Sequence, residues 1–393
     1  MCHSLPDRLR AVHCRLTLPG LFPLPSHTAV PPLPALALLL SRARRTAMPA
    51  SDGDRWWLEV FGVEAQNDYP AAAYARLGET PQADEVHRSN DPHRGNDPYR
   101  GADDAPWMRV DPVHLKLERD QLVLLDDEAL QLSAEEAQAL AASVAAHFHD
   151  HFSLEVLASA RWYARPRAPT HIRTVSTRAV RGRGIAAAMP QGEDAVLWHS
   201  VMNEAQMLLH DHPVNEAREA RGALPVNSLW FWGVGRHRPL SPRPAQSAFG
   251  NDPLLRGLAR EAGMSAAGLP LDASQWLASA PQNGIAWFAL DALSAAADYG
   301  DSARWLTQLA RLERDWFAPL LAALRSGRIG MITLDIPVTG DIANITNTAN
   351  APNTPDGAES AAQSLRCEVS SLDLKRFWRR VKPLAAIADL TKK

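Results

Sequence analysis

Histidine is the first place to look for acid–base or metal chemistry, because its imidazole titrates near neutral pH and ligates transition metals. The chain carries 14 histidines, all between His3 and His237. His147, His149 and His151, with Asp150 among them, form the densest group. Four-residue spacing puts His147 and His151 on one helix face, where neutral imidazoles can grip a metal. The plainer account is a solvated helix end whose imidazolium complements the helix dipole. It is preferred, because no carboxylate or cysteine stands at a standard ligand spacing.

Asn203, Glu204 and Gln206 fall on the polar side of an otherwise apolar helical pattern, followed by His210, Asp211 and His212. Two readings stay open there. One is a pocket wall with His210 or His212 as ligand or general base; the other is a capping network around Pro213. The most distinctive run covers 213–236 and holds Asn215, Arg218, Asn227, Gly233, Gly235 and Arg236 around Trp230, Phe231 and Trp232. Arg218 and Arg236 could hold a phosphate or carboxylate through paired N–H donors. The two glycines let a backbone come close to a ligand. Arg109, Asp111 and His114 make a second polar island, which either joins that pocket or is an Arg–Asp pair holding a turn. Lys375, Arg376, Arg379, Arg380 and Lys382 flank Phe377 and Trp378. That combination can bind a polyanion, although it is more often a solvated helix end.

The elements that must position these groups alternate. Helices are expected over 33–45, 56–63 and 69–77, and Ser133 with Glu136 forms a capping box for the helix that follows. Strands are expected at 122–125, 154–163, 228–232 and 329–336, with helices at 198–209, near 215–221 and from Trp305 to Leu320. The order favours an α/β sheet with helices packed on it. Residues 1–32 read as poorly ordered and 33–340 as one α/β domain. Within it, 85–104 is an inserted polar loop holding the doublet Asn90–Gly95 and Asn96–Gly101; 239–253 is loop-like. Residues 341–364 read as a flexible linker and 365–393 as a basic-aromatic C-terminal helix.

Composition bounds the function. A net charge of −3 gives no global pull toward nucleic acid or anionic membrane, so any polyanion site must be a local patch. Three scattered cysteines, Cys2, Cys14 and Cys367, suit a reducing compartment. The apolar run at 33–40 is far short of the roughly 20 residues that span a bilayer, and arginines follow it rather than precede it. A cytoplasmic protein is expected, with no membrane contact and no cofactor.

Residues 107–114, 203–235 and 377–380 resemble the RpfE-type regulatory proteins, a proteobacterial family named after a pathogenicity-factor gene cluster. The likeness runs from about Leu16 to the C-terminus and is most specific at Asp111-Pro-Val-His114, Asn203-Glu-Ala-Gln-Met207 and Asn227-Ser-Leu-Trp-Phe-Trp-Gly233. Asn215, Arg218, Pro225, Asn227, Gly233 and Gly235 also resemble the pattern of archaeal-type cofactor-independent phosphoglycerate mutases of the alkaline-phosphatase superfamily. That resemblance implies a doubly wound sheet flanked by helices, an alkaline-phosphatase-like core in reduced form. It also implies two divalent metals, a metal-activated Ser or Thr, and histidine ligands drawn mostly from the C-terminal half. Here Asp291 would begin the family's Asp-x-x-x-His, but Ala295 stands at the histidine position; Asp335 would open an Asp-His pair, but Ile336 follows. No Asp-Gly nucleophile strand is visible near the N-terminus. The expectation is a regulatory protein without catalytic or metal residues, a phosphomutase relative that binds a small anionic ligand or a protein partner. Its pocket candidates are Arg109, Asp111, His114, Asn203, Glu204, Gln206, His210, Asn215, Arg218, Asn227 and Arg236. One alternative is an active metal-dependent phosphomutase or phosphatase with ligands relocated to His199, His210, His212 and the 147–151 group. Another, disfavoured by net charge, is a nucleic-acid-binding regulator acting through the basic tail.

Overall fold

Short apolar runs cut by Gly and Pro become strands, and longer runs with helical spacing become their cover. The structure, a computed structural model, describes residues 11–25, 29–79, 105–241, 243–340, 363–376 and 378–388. In chain order its strands are β1 (Val12–Thr17), β2 (Arg44–Met48), β3 (Trp107–Glu118), β4 (Gln121–Leu125), β5 (Phe152–Ala158), β6 (Arg161–Pro166), β7 (Ile172–Arg173), β8 (Gln191–Gly192), β9 (Ser228–Gly235), β10 (Ser247–Phe249), β11 (Ser265–Ala267), β12 (Ile285–Ala289), β13 (Ile329–Ile336) and β14 (Ser364–Ser370).

Seven of them form one sheet in the order β11-β10-β12-β1-β13-β14-β2. The first five run parallel, and β14 and β2 add an antiparallel edge. Parallel strands need both faces covered, and side-chain alternation shows that they are. On β12, Ala286 and Phe288 enter one core while Trp287 and Ala289 enter the other. Helices Pro34–Arg42, Ala273–Ser279, Ser302–Leu312 and Ala318–Arg325 build the first core with Leu16, Ile332 and Leu334. Helices Gly53–Val60, Ala71–Glu79 and Pro253–Glu261 build the second. That second core continues into a five-stranded sheet, in which β3 pairs with β4, β6 and β9, and β5 follows β6. Helices Ala134–His147 and Ala195–His210 cover this smaller sheet through Leu140, Val144, Trp198 and Val201. β7 and β8 form a separate pair. The class is therefore α/β, with a doubly wound main sheet flanked by helices.

Four expectations are corrected. Residues 12–17 are not loop but β1, a central strand on which Val12, Cys14 and Leu16 are buried. Its alternate residues, His13 and Arg15, gave it a polar look; they bond Thr333 (2.8 Å) and Asp335 (2.5 Å) on β13. The strand expected over 154–163 is a hairpin, β5 and β6, turning at Ser159 and Ala160. The loop-like 239–253 holds β10, three residues long and flanked on both sides by parallel neighbours. The C-terminal helix expected over 365–393 is instead strand β14, with helical turns only at Ser371–Leu374 and Leu384–Ala388. The insert expected at 85–104 and the linker expected over 341–364 fall outside the described residues, apart from 363 and 364. The helix expected from Trp305 is present, with one π-turn at Glu313–Phe317. No helix among the described residues is long and apolar enough to cross a membrane.

Candidate functional site

Ligands of parallel α/β sheets bind beyond the carboxyl ends of the strands, and two of those ends carry aspartates here. β10 runs into Asn251 and Asp252, and β12 into Asp291. Asp252 caps helix Pro253–Glu261 by accepting from the Leu254 N–H at 2.8 Å. Opposite them stand Arg109 and Asp111 of β3, Trp232 of β9, and the short helix Thr177–Val180, capped by Ser176. Between the two walls lies a cleft of about 300 Å³.

Its charges are arranged as arginine–carboxylate pairs. Arg178 donates through Nη2 to Asp252 at 2.6 Å, and its Nε lies 3.8 Å from Asp54. Arg181 bonds Asp126 at 2.5 Å and approaches Asp298 at 3.6 Å. Arg109 bonds Asp111 at 2.6 Å, and the second Asp111 oxygen accepts from Thr177 Oγ1 (2.5 Å) and Trp232 Nε1 (2.7 Å). Burial would lift the Asp252 carboxyl, but Arg178 outweighs it and holds the group below its ordinary value. Asp54 goes the other way, raised by burial against the pull of Arg178. Asp291 keeps an exposed side but is raised by the desolvation of the cleft, opposed by Arg178 and reinforced by Asp252. Asp127 is pushed up to about 6 by desolvation at the cleft and by the neighbouring Asp126, against the pull of Arg181.

Of the pocket candidates named from the sequence, Arg109 and Asp111 line this cleft; Asp291 and Ala295, the two ends of the family's altered Asp-x-x-x-His, line it as well. The others sit elsewhere. Arg218 is fully buried and spends its donors on Leu224 O, Glu136 and Leu130 O. Asn215 bonds Leu209 O, Val226 O and the Val226 N–H; Asn227 bonds both backbone groups of Leu115. His114 holds Pro225 O at 2.9 Å. These four tie the chain before β9 to its neighbours. Asn203, Glu204 and Gln206 line an outer face of Ala195–His210, where Glu204 meets Ser200 and His147. His210 is exposed, and His212 caps helix Pro213–Ala220 while meeting Ser143 Oγ at 3.0 Å. Arg236 is exposed beyond the end of β9, where its backbone pairs with Gln66. Gly233 and Gly235 do allow close approach, but of Ala71 and Pro70 at the start of a helix.

Sequence reasoning missed Asp54, Asp126, Arg178, Arg181 and Asp252. No local pattern marks them, because they converge from segments spread over about half of the chain, from Asp54 to Asp252. A two-metal phosphoryl-transfer site does not fit this donor set. No histidine lines the cleft, and among the described residues no group of three or more His, Cys, Asp or Glu is placed to hold a metal. Two carboxylates that could serve, Asp54 and Asp252, already share the Arg178 guanidinium. The end of β1 offers Leu18, Pro19 and Gly20 instead of an acid, and the Thr17 hydroxyl accepts from Trp287 Nε1 at 2.9 Å.

Comparison with known proteins matches part of the chain. Residues 103–215 match the family described as 2,3-bisphosphoglycerate-independent phosphoglycerate mutase. A phosphoglycerate mutase of that kind from Methanothrix thermoacetophila is 39% identical over 64 residues, 16% of each chain. A probable one from Geobacter sulfurreducens is 37% identical over 57 residues, 14% of each chain. The matched stretch thus spans about a sixth of the length of these relatives. The PH0037 protein from Pyrococcus horikoshii shares the fold, with a TM-score of 0.50 and 14% identity over 92% of this chain and 88% of that one. The matched residues supply the wall with Arg109, Asp111, Thr177, Arg178 and Arg181; Asp252 and Asp291 lie outside them.

Proposed function

From this relationship to phosphoglycerate mutases, we propose that the chain is a non-catalytic relative and a regulatory protein that binds a small anionic metabolite in the cleft. The observation that carries the reading is the position of Arg178. Metal-dependent phosphoryl transfer uses cations to activate a nucleophile and to neutralise phosphate charge. A guanidinium fixed to Asp252 and beside Asp54 neutralises those carboxylates, but it offers no open coordination position and no activated oxygen. The RpfE-type likeness at 107–114 and 203–235 supports the regulatory part.

Anion binding in this cleft depends on pH. Seven carboxylates and five arginines line it, a formal excess of negative charge. Asp54, Asp127 and Asp291 all have raised pKa values, so they take up protons first as pH falls. With those three neutral, the arginines outnumber the remaining carboxylates. Binding of an anion therefore strengthens as pH falls and these three carboxyls take up protons, Asp127 doing so at about 6.

The test is incubation with 3-phosphoglycerate and manganese, read by phosphorus NMR, beside elemental analysis of dialysed protein and calorimetry with 3-phosphoglycerate. The expected result is no isomerisation, no near-stoichiometric manganese or zinc, and tighter binding at pH 5.5 than at pH 8. Turnover together with retained metal would refute the reading in favour of an active mutase. Absence of binding at either pH would remove the anionic ligand.

A further inference from the structure

At the end of the main sheet away from the cleft, β2 is an edge strand beside β14. Arg42, Arg44 and Arg45 lie where helix Pro34–Arg42 passes into β2. Residues 375–376 and 378–382 are laid against the same place. Arg379 donates to Ala43 O at 3.0 Å, and the Lys382 N–H to Ser41 Oγ at 2.9 Å. This brings Lys375, Arg376, Arg379, Arg380 and Lys382 to the three arginines. Among the described residues, only Glu368, on Arg44 (2.5 Å), and Asp373, on Arg376 (2.9 Å), pair with a cation of the group. Eight cations against two carboxylates stand out in a chain of net charge −3.

Two further observations mark the patch. Arg42 is 8% exposed, and its Nε and Nη1 are buried without a hydrogen-bond partner, as is Nε of Arg45. Those nitrogens are shielded from solvent, so the cations that can reach an outside surface are the exposed Arg44, Lys375, Arg379, Arg380 and Lys382. Beside the cations, Leu372, Trp378 and Val381 are 69%, 67% and 50% exposed. Helix Leu384–Ala388, whose Leu384 and Ile387 are buried, fixes the chain just beyond them.

We infer that this face docks on an anionic phospholipid surface, the arginines and lysines meeting lipid phosphates and Leu372, Trp378 and Val381 entering the headgroup region. Cations alone would suit any polyanion. The two aliphatic side chains decide for lipid, because a nucleic acid offers a stacking partner to Trp378 but nothing to Leu372 or Val381. The contact is peripheral and separate from the cleft.

The test is co-sedimentation of the full chain with vesicles of phosphatidylcholine alone or with one third phosphatidylserine, beside a duplex oligonucleotide at equal phosphate concentration. Binding is expected only to the anionic vesicles and is released by 0.5 M salt. Each cation near such a surface contributes about fivefold in affinity, so K375E/R380E/K382E weakens binding by roughly 100-fold. W378A weakens it several-fold at unchanged charge, and both variants keep the wild-type melting curve. Equal binding to neutral vesicles, no binding to either kind, or preference for the oligonucleotide would each overturn the inference.

Discussion

Arg178 holds the position at which two buried carboxylates need a cation, and it came to light only when the chain was folded. Arg109 and Asp111 were legible because they sit two apart on one strand; Asp54, Arg178 and Asp252 share no window and no period. On the proposed reading, removing the guanidinium should open a cation site. Arg178→Ala leaves Asp54 and Asp252 uncompensated, and breaking a buried pair costs about 3–5 kcal/mol. The expected outcome is a lowered melting temperature that millimolar manganese restores in the variant and leaves unchanged in the wild type. Equal stabilisation of both by manganese would count against the substitution of arginine for metal. Asp68 makes a second prediction. It is 8% exposed, accepts from Thr174 and the Tyr69 N–H, and is raised to about 7 by burial. Because the folded state binds this proton more tightly than the unfolded chain, its contribution is present at low pH and lost as pH rises from about 4 through 7. Thermal melts should fall between pH 5 and 8, and Asp68→Asn should flatten that slope; an unchanged slope would place the titration elsewhere.

Elements with strong local signals were readable, and those defined by their neighbours were not. The capping box formed as its residues dictate: Ser133 Oγ accepts from the Glu136 N–H at 3.2 Å, and Glu136 accepts from the Ser133 N–H at 3.0 Å. β13 was equally plain, an eight-residue apolar strand after Gly327. β10 was hidden because three residues in a Pro-rich stretch carry no periodicity; β11 and β12 make it a strand. The tail was read as helical from its basic-aromatic spacing, but pairing with β13 and β2 claims 364–370 first. What the sequence could not show is that Glu136 serves two elements, since it also bonds Arg218 at 2.6 Å and meets Arg221. Ser133→Ala should therefore cost about 1 kcal/mol, the worth of a cap. Glu136→Ala should cost about 3–5 kcal/mol, because it strands the buried Arg218 charge. Urea titrations giving equal losses would deny that cross-link.

At the scale of the whole molecule, the main sheet is shared by both cores, and Trp287 shows how tightly they are joined. It projects from β12 to meet Trp56 at 5.9 Å, Trp57 at 5.1 Å and Phe61 at 5.8 Å between ring centroids. Its indole N–H bonds Thr17 on β1, and the Arg15 guanidinium lies 3.7 Å from its ring centre. The next residue on the strand, Phe288, turns to the opposite face, where it stacks with Phe249 and meets Trp276 and Trp316 edge to face. Neither core can lose its packing without exposing a face of the same strand. The chain should accordingly unfold in one cooperative step, far-ultraviolet circular dichroism and tryptophan fluorescence following a single urea curve. Trp287→Ala removes the largest side chain from one face and should cost about 3–5 kcal/mol, a large part of the 5–15 kcal/mol typical of a folded protein. If the cores are coupled through the sheet, both probes shift together to lower urea in that variant. Separate shifts, with the Phe288 side still folded after the Trp287 side has melted, would mean that the two layers are independent and that the cleft between the sheets is a hinge rather than a fixed site.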